Sequence, residues 1–89
     1  MVDLPAGRQA RLTKRMFTVY ALKSKIKNYI YVGMTEDLHK RFHRHCNGYE
    51  KTTKAYRPFI LIYFEIHLTR SEARKREKYL KSGVGKEFL

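Results

Sequence analysis

A chain of 89 residues is long enough for one folded domain with a modest hydrophobic core. Its formal charge of +12 favours polyanionic partners such as nucleic acids. A single cysteine, Cys46, excludes an internal disulfide and a metal cluster built only from cysteines. No apolar run approaches the length of a membrane span, and no signal peptide is expected, so we predict a reduced, intracellular domain.

The first fifteen residues lack hydrophobic periodicity, and we predict a flexible basic leader over 1–15 and a folded domain over 16–89. Residues 17–22 alternate and are rich in strand-forming residues, which predicts a first strand. Residues 29–33 predict a second strand. Because a polar, lysine-rich turn joins the two segments, they are expected to form an antiparallel hairpin.

After Asp37 the pattern changes to a helical period. Leu38 and Phe42 are four residues apart, Asp37 is suited to the N-cap, and Gly48 is suited to the position just past the helix end. The segment 48–58 that follows is predicted to be a basic loop.

The last third of the chain predicts a strand followed by a helix. Residues 59–65 are apolar almost throughout, as expected for a central strand buried on both faces. Thr69 and Glu72 have the spacing of a capping box that opens a helix to about Ser82, which Gly83 ends. The order β-β-α-β-α predicts an α+β fold, with a three-stranded mixed or antiparallel sheet flanked by helices.

Five polar side chains follow one another in an order that suits phosphodiester hydrolysis. Tyr20 lies in a Val-Tyr-Ala triplet and Tyr31 in a Tyr-Val-Gly triplet, while Arg41 and His45 are one helical turn apart and Glu77 lies on the last helix. Hydrolysis needs a base for water, a counter-charge for the phosphorane and help for the leaving oxyanion. The ordered set resembles the GIY-YIG endonuclease superfamily, specifically its small stand-alone bacterial group (UPF0213).

The resemblance covers residues 16–88 and implies a divalent-metal-dependent endonuclease that cleaves DNA in repair or recombination-type processing. It implies that Tyr20 is the base or orients the attacking water, and that Glu77 holds one Mg²⁺ or Mn²⁺ ion. The implied location is the bacterial cytoplasm, associated with the nucleoid at most. The chain departs from the family pattern after the glutamate helix, where many members have an asparagine and none follows Asn47 here.

A tyrosine with a pKa near 10 is a poor base, so nearby cationic charge must lower the pKa of Tyr20. Arg41, His45 and the metal could supply that charge. The alternative for Tyr20 and Tyr31 is ordinary packing, since tyrosine is common in half-buried strands.

Arg41 is interpreted as a phosphate clamp, because its planar guanidinium suits two-donor phosphate contact. The alternative is a solvated helix residue. His45 lies on the same helix face and could shuttle a proton or orient a tyrosine hydroxyl. His39 and His43 are expected at the surface.

Glu77 shares one stripe of the last helix with Ala73 and Leu80, which puts a carboxylate beside the inward face. Oxygen ligands of this kind suit Mg²⁺, which can bind through one carboxylate, waters and substrate phosphate. The alternative is a surface ion pair with Lys81.

Nucleic-acid binding is predicted from basic residues interleaved with tyrosines, a combination that holds strands without reading sequence. We expect preference for DNA structure, with RNA as an open alternative, and the competing interpretation is a merely solvated basic surface. The predicted contact residues are Arg44, Lys51, Lys54, Tyr56, Arg57, Arg74, Lys78 and Lys81.

Two other functions stay open at the level of sequence. The domain could be a non-catalytic module that binds structured DNA or RNA, or a nuclease that needs a protein partner. A pure binder has no need of the Glu77 carboxylate, which repels phosphate, and this favours the enzyme.

Overall fold

The computed structural model describes residues 15–89, so the predicted leader lies outside the described residues except for Arg15. The fold is α+β, as predicted, with one helix more than the predicted order. The elements are β1 (Phe17–Ser24), β2 (Ile30–Thr35), α1 (Leu38–Cys46), a short 3₁₀ helix (Lys54–Tyr56), β3 (Phe59–His67), α2 (Arg70–Lys81) and α3 (Gly83–Phe88).

The three strands form one antiparallel sheet in the order β2-β1-β3. β1 and β2 make the predicted hairpin, in which Tyr20 pairs with Gly33. The prediction that β3 is central and buried on both faces is wrong: β1 is central and β3 is an edge strand. Ile60, Phe64 and Ile66 on β3 are 43%, 52% and 54% exposed, because an apolar run signals burial without saying which strand has two neighbours.

Alternation along β1 divides the sheet into two faces with separate cores. On the face covered by α2, which we call the α2 face, the core contains Val19, Ala21, Val32, Ala73 and Leu80. On the opposite face, the α1 face, Leu38 and Phe42 of α1 pack against the core of Tyr20, Leu22 and Phe59. Tyr20 and Leu22 of β1 therefore lie on one side of the sheet, and Val19 and Ala21 lie on the other.

The helix ends follow the predicted capping residues. The Asp37 carboxylate accepts a hydrogen bond from the Lys40 amide at 3.0 Å, and Gly48 has a positive φ of 79° just beyond α1. Thr69 accepts a hydrogen bond from the Glu72 amide at 3.1 Å.

The helix α3 was not predicted from the sequence. The hydroxyl of Ser82 accepts a hydrogen bond from the Gly85 amide at 3.1 Å, so one serine ends α2 and opens α3. A side chain on the buried Gly85 would collide with the backbone of Tyr79 and Leu80. Gly83 therefore begins a second helix after the predicted break.

Candidate active site

A buried phenol–imidazole pair lies on the α1 face. Tyr20 projects from the central strand β1 and His45 from the last turn of α1, and the Tyr20 hydroxyl oxygen is 3.0 Å from His45 Nε2. On the other side of the ring, His45 Nδ1 is 2.8 Å from Thr53 Oγ1. Tyr20 and Thr53 are 0% exposed and His45 is 2% exposed, so water does not compete for these bonds.

Tyr31 lies beside this pair on the neighbouring strand β2. Its ring centroid is 4.9 Å from that of His45 and 6.1 Å from that of Tyr20. A Cβ atom at Gly33 would lie 2.6 Å from the Tyr20 hydroxyl and 2.8 Å from the Tyr31 ring, so the close approach of the two rings requires glycine there. The Tyr31 side chain is partly exposed, and within residues 15–89 no side chain hydrogen bonds its hydroxyl.

Arg41 connects the buried pair to an open cationic groove. Its positive charge acts to lower the pKa of Tyr20, against the effect of burial, and its side chain is 37% exposed. The groove has a volume of about 460 Å³ and is lined by Thr35, Asp37, Lys40, Arg41, Arg44 and Glu50. A second depression of about 300 Å³ shares Thr35, Asp37 and Arg41 and extends toward Arg70.

Glu50 neutralises part of this groove. Its carboxylate accepts a hydrogen bond from Arg44 Nε at 2.8 Å and lies 3.8 Å from Arg41 Nε. These arginines, the Arg44 hydrogen bond first, hold the pKa of Glu50 below its usual value. The Glu50 carboxylate therefore occupies the position at which Arg41 and Arg44 could otherwise bind an external anion.

The predicted lowering of the pKa of Tyr20 is wrong for the described chain. Burial, with the nearby Tyr31 hydroxyl, raises the pKa of Tyr20 well above 10, and this outweighs the lowering by Arg41. Burial also lowers the pKa of His45 below 6.5, so its imidazole is neutral at pH 7 and supplies no positive charge. The reason is that desolvation of a fully enclosed phenol exceeds the attraction of one half-exposed guanidinium.

Glu77 is the one predicted catalytic residue that lies apart from the others. It projects from α2, whose Ala73 and Leu80 pack on the α2 face, whereas the tyrosines project from the α1 face. Its neighbour Arg76 bonds Glu65 on β3, and the two residues flank the buried stripe of α2 on opposite sides, so Glu77 faces the β2 edge.

The surroundings of Glu77 fit a hydrated divalent cation held by one carboxylate. The side chain is 14% exposed, and its only charged contacts within residues 15–89 are Lys81 at 3.2 Å and Arg74 at 3.7 Å. Both partners are more than half exposed and can move aside. The described residues contain no cluster of three or more His, Cys, Asp or Glu side chains that could hold a metal, so waters and substrate must supply the other ligands.

The predicted nucleic-acid contacts fall into two groups. Arg44, Lys51, Lys54 and Arg57 are exposed around α1 and the loop after it, and Arg74, Lys78 and Lys81 are exposed on α2. The ring of Tyr56 is already stacked on Tyr29, with centroids 3.8 Å apart and an interplanar angle of 8°. His39 and His43 are exposed, as predicted.

Two residues of the site were missed in the sequence. Thr53 lies in a loop that looked merely basic, and nothing in its local pattern indicates burial. Glu50 did carry a signal, because it is the one acidic residue between Lys40 and Arg57.

The fold and the site define a small α+β domain in which a phenol–imidazole pair lies behind a cationic groove. The chain belongs to the GIY-YIG family: the GIY-YIG catalytic domain matches residues 16–87. It is 42% identical over 64 residues to a UPF0213 protein of Clostridium perfringens, covering 71% of this chain and 68% of that protein. It is also 42% identical to a UPF0213 protein of Staphylococcus saprophyticus, covering 72% of this chain and 78% of that protein.

Family membership implies nuclease-type activity on nucleic acid, and GIY-YIG nucleases generally use divalent metal ions. The names of the relatives say nothing about substrate. No solved structure matches this chain. Within residues 15–89, no helix combines the length and the apolar character needed to cross a membrane.

Proposed function

We propose that this protein is a divalent-metal-dependent endonuclease that hydrolyses phosphodiester bonds in DNA, selecting structure over sequence, in repair or recombination-type processing. One observation carries the proposal: Tyr20, Tyr31 and His45 pack together near Arg41, and Arg41 lines a groove with two further cations, Lys40 and Arg44. Such a groove suits a phosphate, and the residues behind it suit proton transfer.

Arg41 is the proposed phosphate contact. Its guanidinium reaches the groove from the buried side, and Lys40 and Arg44 line the same groove. Pentavalent phosphorus carries more negative charge on its oxygens in the transition state than a bound ester does, so a fixed guanidinium favours the transition state. Glu50 must release Arg41 and Arg44 when phosphate arrives, since the same donors serve both anions.

The phenols have different proposed tasks. Tyr31 has a hydroxyl free of protein partners within residues 15–89, and it orients the attacking water. Tyr20 is fully buried, so water reaches its hydroxyl only when bound phosphate draws the Arg41 guanidinium outward into the groove. Tyr20 then takes a proton from water while its own proton passes to Nε2 of His45, 3.0 Å away. Because Tyr20 gains one proton as it loses another, it never has to ionise, and its raised pKa does not prevent it from acting as the base.

Glu77 is the proposed ligand of one Mg²⁺ or Mn²⁺ ion. Its oxygens match the ligand preference of hard cations, and its two partners are flexible surface cations. When bound, such an ion supplies positive charge to the substrate phosphate. Because Glu77 faces the β2 edge from the α2 face, DNA would have to pass around that edge to meet both Glu77 and Arg41.

A non-catalytic nucleic-acid-binding module is the second candidate, and one observation favours it. Tyr20 is fully buried, and Glu77 is carried by a helix that packs on the opposite face of the sheet from Tyr20 and Tyr31. The cationic groove would bind a phosphate backbone without cleaving it.

Cleavage assays separate the two candidates. Purified protein is incubated with supercoiled plasmid and with flap, fork, junction and single-stranded DNA, in Mg²⁺, in Mn²⁺ and in EDTA, and binding is measured on the same substrates. An endonuclease cleaves with either metal and not in EDTA, and a parallel preparation of Arg41→Ala is inactive, which excludes a contaminating nuclease. Tight binding of every substrate with no cleavage under any condition rejects the enzyme and supports the binding module.

A further inference from the structure

Thr53 closes a buried chain of polar groups that the proposed chemistry does not yet explain. The chain runs from the Tyr20 hydroxyl through both nitrogens of His45 to Thr53 Oγ1, with separations of 3.0 Å and 2.8 Å. Thr53 Oγ1 also lies 3.5 Å from the Glu50 carbonyl oxygen. All three side chains are buried, so each polar hydrogen must find its acceptor within the chain.

The direction of these hydrogen bonds follows from which groups can donate and which can accept. The Tyr20 hydroxyl has one hydrogen-bond partner within residues 15–89, His45 Nε2, and the guanidinium of Arg41 has donors only, so Arg41 cannot take the Tyr20 proton. The Tyr20 proton must therefore go to His45 Nε2, which has to be unprotonated. Neutral imidazole then carries its hydrogen on Nδ1 and donates it to Thr53 Oγ1, whose own proton points to the Glu50 carbonyl.

The opposite arrangement leaves a buried proton without a partner. If Thr53 donated to Nδ1, His45 would donate from Nε2 to the Tyr20 oxygen, and the Tyr20 proton would have no acceptor among the described residues. An unpaired buried donor is costly, so the first arrangement is the stable one.

We propose that Thr53 is a positioning residue that holds His45 in its Nδ1–H tautomer, leaving Nε2 free to accept the proton of Tyr20. The assignment of the tautomer stands on the hydrogen-bond geometry alone. Its consequence for turnover rests on the proposed function, because only a proton transfer from Tyr20 needs an empty Nε2.

The loop holds Thr53 rigidly enough for this task. The Thr53 amide donates to the Glu50 carbonyl at 3.2 Å, and the 3₁₀ helix begins at the next residue. The titratable and charged groups around the imidazole are Tyr20, Tyr31, Arg41, Arg44 and Glu50. None of these groups forms a hydrogen bond with His45 Nδ1. Within the described residues, Thr53 is therefore the one hydrogen-bond partner of that nitrogen.

The first test reads the tautomer directly. Long-range ¹H–¹⁵N correlation spectra are recorded on the full ¹⁵N-labelled chain at a pH where imidazole is neutral, and the His45 signals are identified by their absence in His45→Gln. We expect the Nδ1–H form in the wild type and in Thr53→Ser, which keeps the hydroxyl. Thr53→Val keeps the shape and removes the acceptor, so the Nε2–H form should become substantial.

A wild-type spectrum showing the Nε2–H form overturns the proposal, and this result does not depend on whether Thr53→Val folds. An unchanged Nδ1–H form in a folded Thr53→Val variant also overturns it. These measurements need no cleavage activity, so failure of the nuclease proposal and failure of the tautomer proposal are distinguishable.

The second test measures single-turnover cleavage. If Tyr20 passes its proton to Nε2, Thr53→Val lowers the rate at saturating DNA by about twofold or more, in proportion to the fraction of His45 in the Nε2–H form, while the DNA concentration for half-maximal rate changes little. Thr53→Ser restores most of the rate. Equal rates for the valine and serine variants would remove Thr53 from the mechanism.

Discussion

The hydroxyl groups of Tyr20 and Tyr31 have opposite environments, although the ring centroids are 6.1 Å apart. Tyr20 is 0% exposed and its hydroxyl lies 3.0 Å from His45 Nε2, and burial raises its pKa. The Tyr31 hydroxyl opens toward solvent. The two phenols should therefore differ in what their removal does to stability.

Tyr20→Phe should lower both activity and stability, whereas Tyr31→Phe should lower activity alone. Loss of the Tyr20 hydroxyl leaves His45 Nε2 without its partner, at a cost of about 1 kcal/mol in the free energy of unfolding. Each substitution should reduce single-turnover cleavage by about 10²-fold or more. Urea unfolding and cleavage of the same preparations check both statements, and a fully active Tyr31→Phe would take Tyr31 out of the reaction.

Arg41 should act differently from the surrounding surface cations. Arg41→Ala is expected to cut turnover by about 10²–10³-fold at saturating DNA, as for the loss of a transition-state charge donor. Arg41→Lys should recover little of it, because an ammonium group cannot reproduce the two-donor planar contact. Lys51→Ala is the matched control, with unchanged turnover once DNA saturates. If Arg41→Ala resembled Lys51→Ala, Arg41 would be only part of the binding surface.

At the scale of elements, α2 carries different chemistry on the two sides of its buried stripe. Toward β3, Arg76 donates to Glu65 from Nε at 2.7 Å and from a terminal nitrogen at 3.1 Å. Toward β2, Glu77 has two charged partners among residues 15–89, the exposed cations Arg74 and Lys81. The Arg76–Glu65 pair ties the helix to the sheet, whereas the partners of Glu77 are exposed side chains that can move aside for a ligand.

Glu77→Gln should abolish cleavage and leave DNA affinity equal or higher. The amide keeps the size of the side chain, removes the proposed metal ligand and removes a repulsion from phosphate. Glu87→Gln, on the exposed helix α3, is the matched control for the change of charge. Cleavage rates, DNA affinity and Mn²⁺ binding are measured for both variants, and near wild-type cleavage by Glu77→Gln would exclude the carboxylate from the mechanism.

Glu65 should give the protein an acid-sensitive stability. The Arg76 hydrogen bonds, with those of Tyr63 and His67, hold the pKa of Glu65 to about 2, against an ordinary value of 4.5. Ionised Glu65 therefore contributes fully to the free energy of unfolding above about pH 4.5. This contribution has an upper limit of ~3 kcal/mol and is lost as the pH falls toward 2.

Urea unfolding of wild type and of Glu65→Gln across this pH range isolates the effect from other carboxylates. We expect the variant to be less stable at pH 7 and the two curves to converge near pH 2. Parallel curves over the whole range would show that the Glu65 pairs do not drive acid sensitivity.

At the scale of the whole molecule, exposed basic residues within residues 15–89 lie on both sides of the sheet. Basic residues surround α1 and its following loop, and another set covers α2. Bound DNA that meets both Arg41 and Glu77 must therefore contact cations on both sides of the β2 edge.

Lys51→Ala and Lys78→Ala, one from each side, should each reduce the slope of log affinity against log salt by about 1. Lys86→Ala, on α3 away from the β2 edge, is the control and should leave the slope unchanged. Affinities at several salt concentrations check this, and a slope that depends on Lys51 alone would confine DNA to the α1 side.

Features that depend on residues close together in the chain were predicted from the sequence. Asp37, Gly48 and Thr69 mark helix ends because capping depends on residues within one turn. The shared face of Arg41 and His45 follows from helical spacing, and the hairpin of β1 and β2 follows from alternation and turn composition.

The tertiary structure decided everything that depends on which surfaces meet. It put β1 in the centre of the sheet and β3 at the edge, enclosed Thr53 against His45, and raised the pKa of Tyr20 where nearby cations predicted a lower value. It also placed α2, which carries Glu77, on the opposite sheet face from Tyr20 and Tyr31. Burial, and with it the desolvation that sets a pKa, sums over neighbours distant in sequence, so no local pattern of residues contains it.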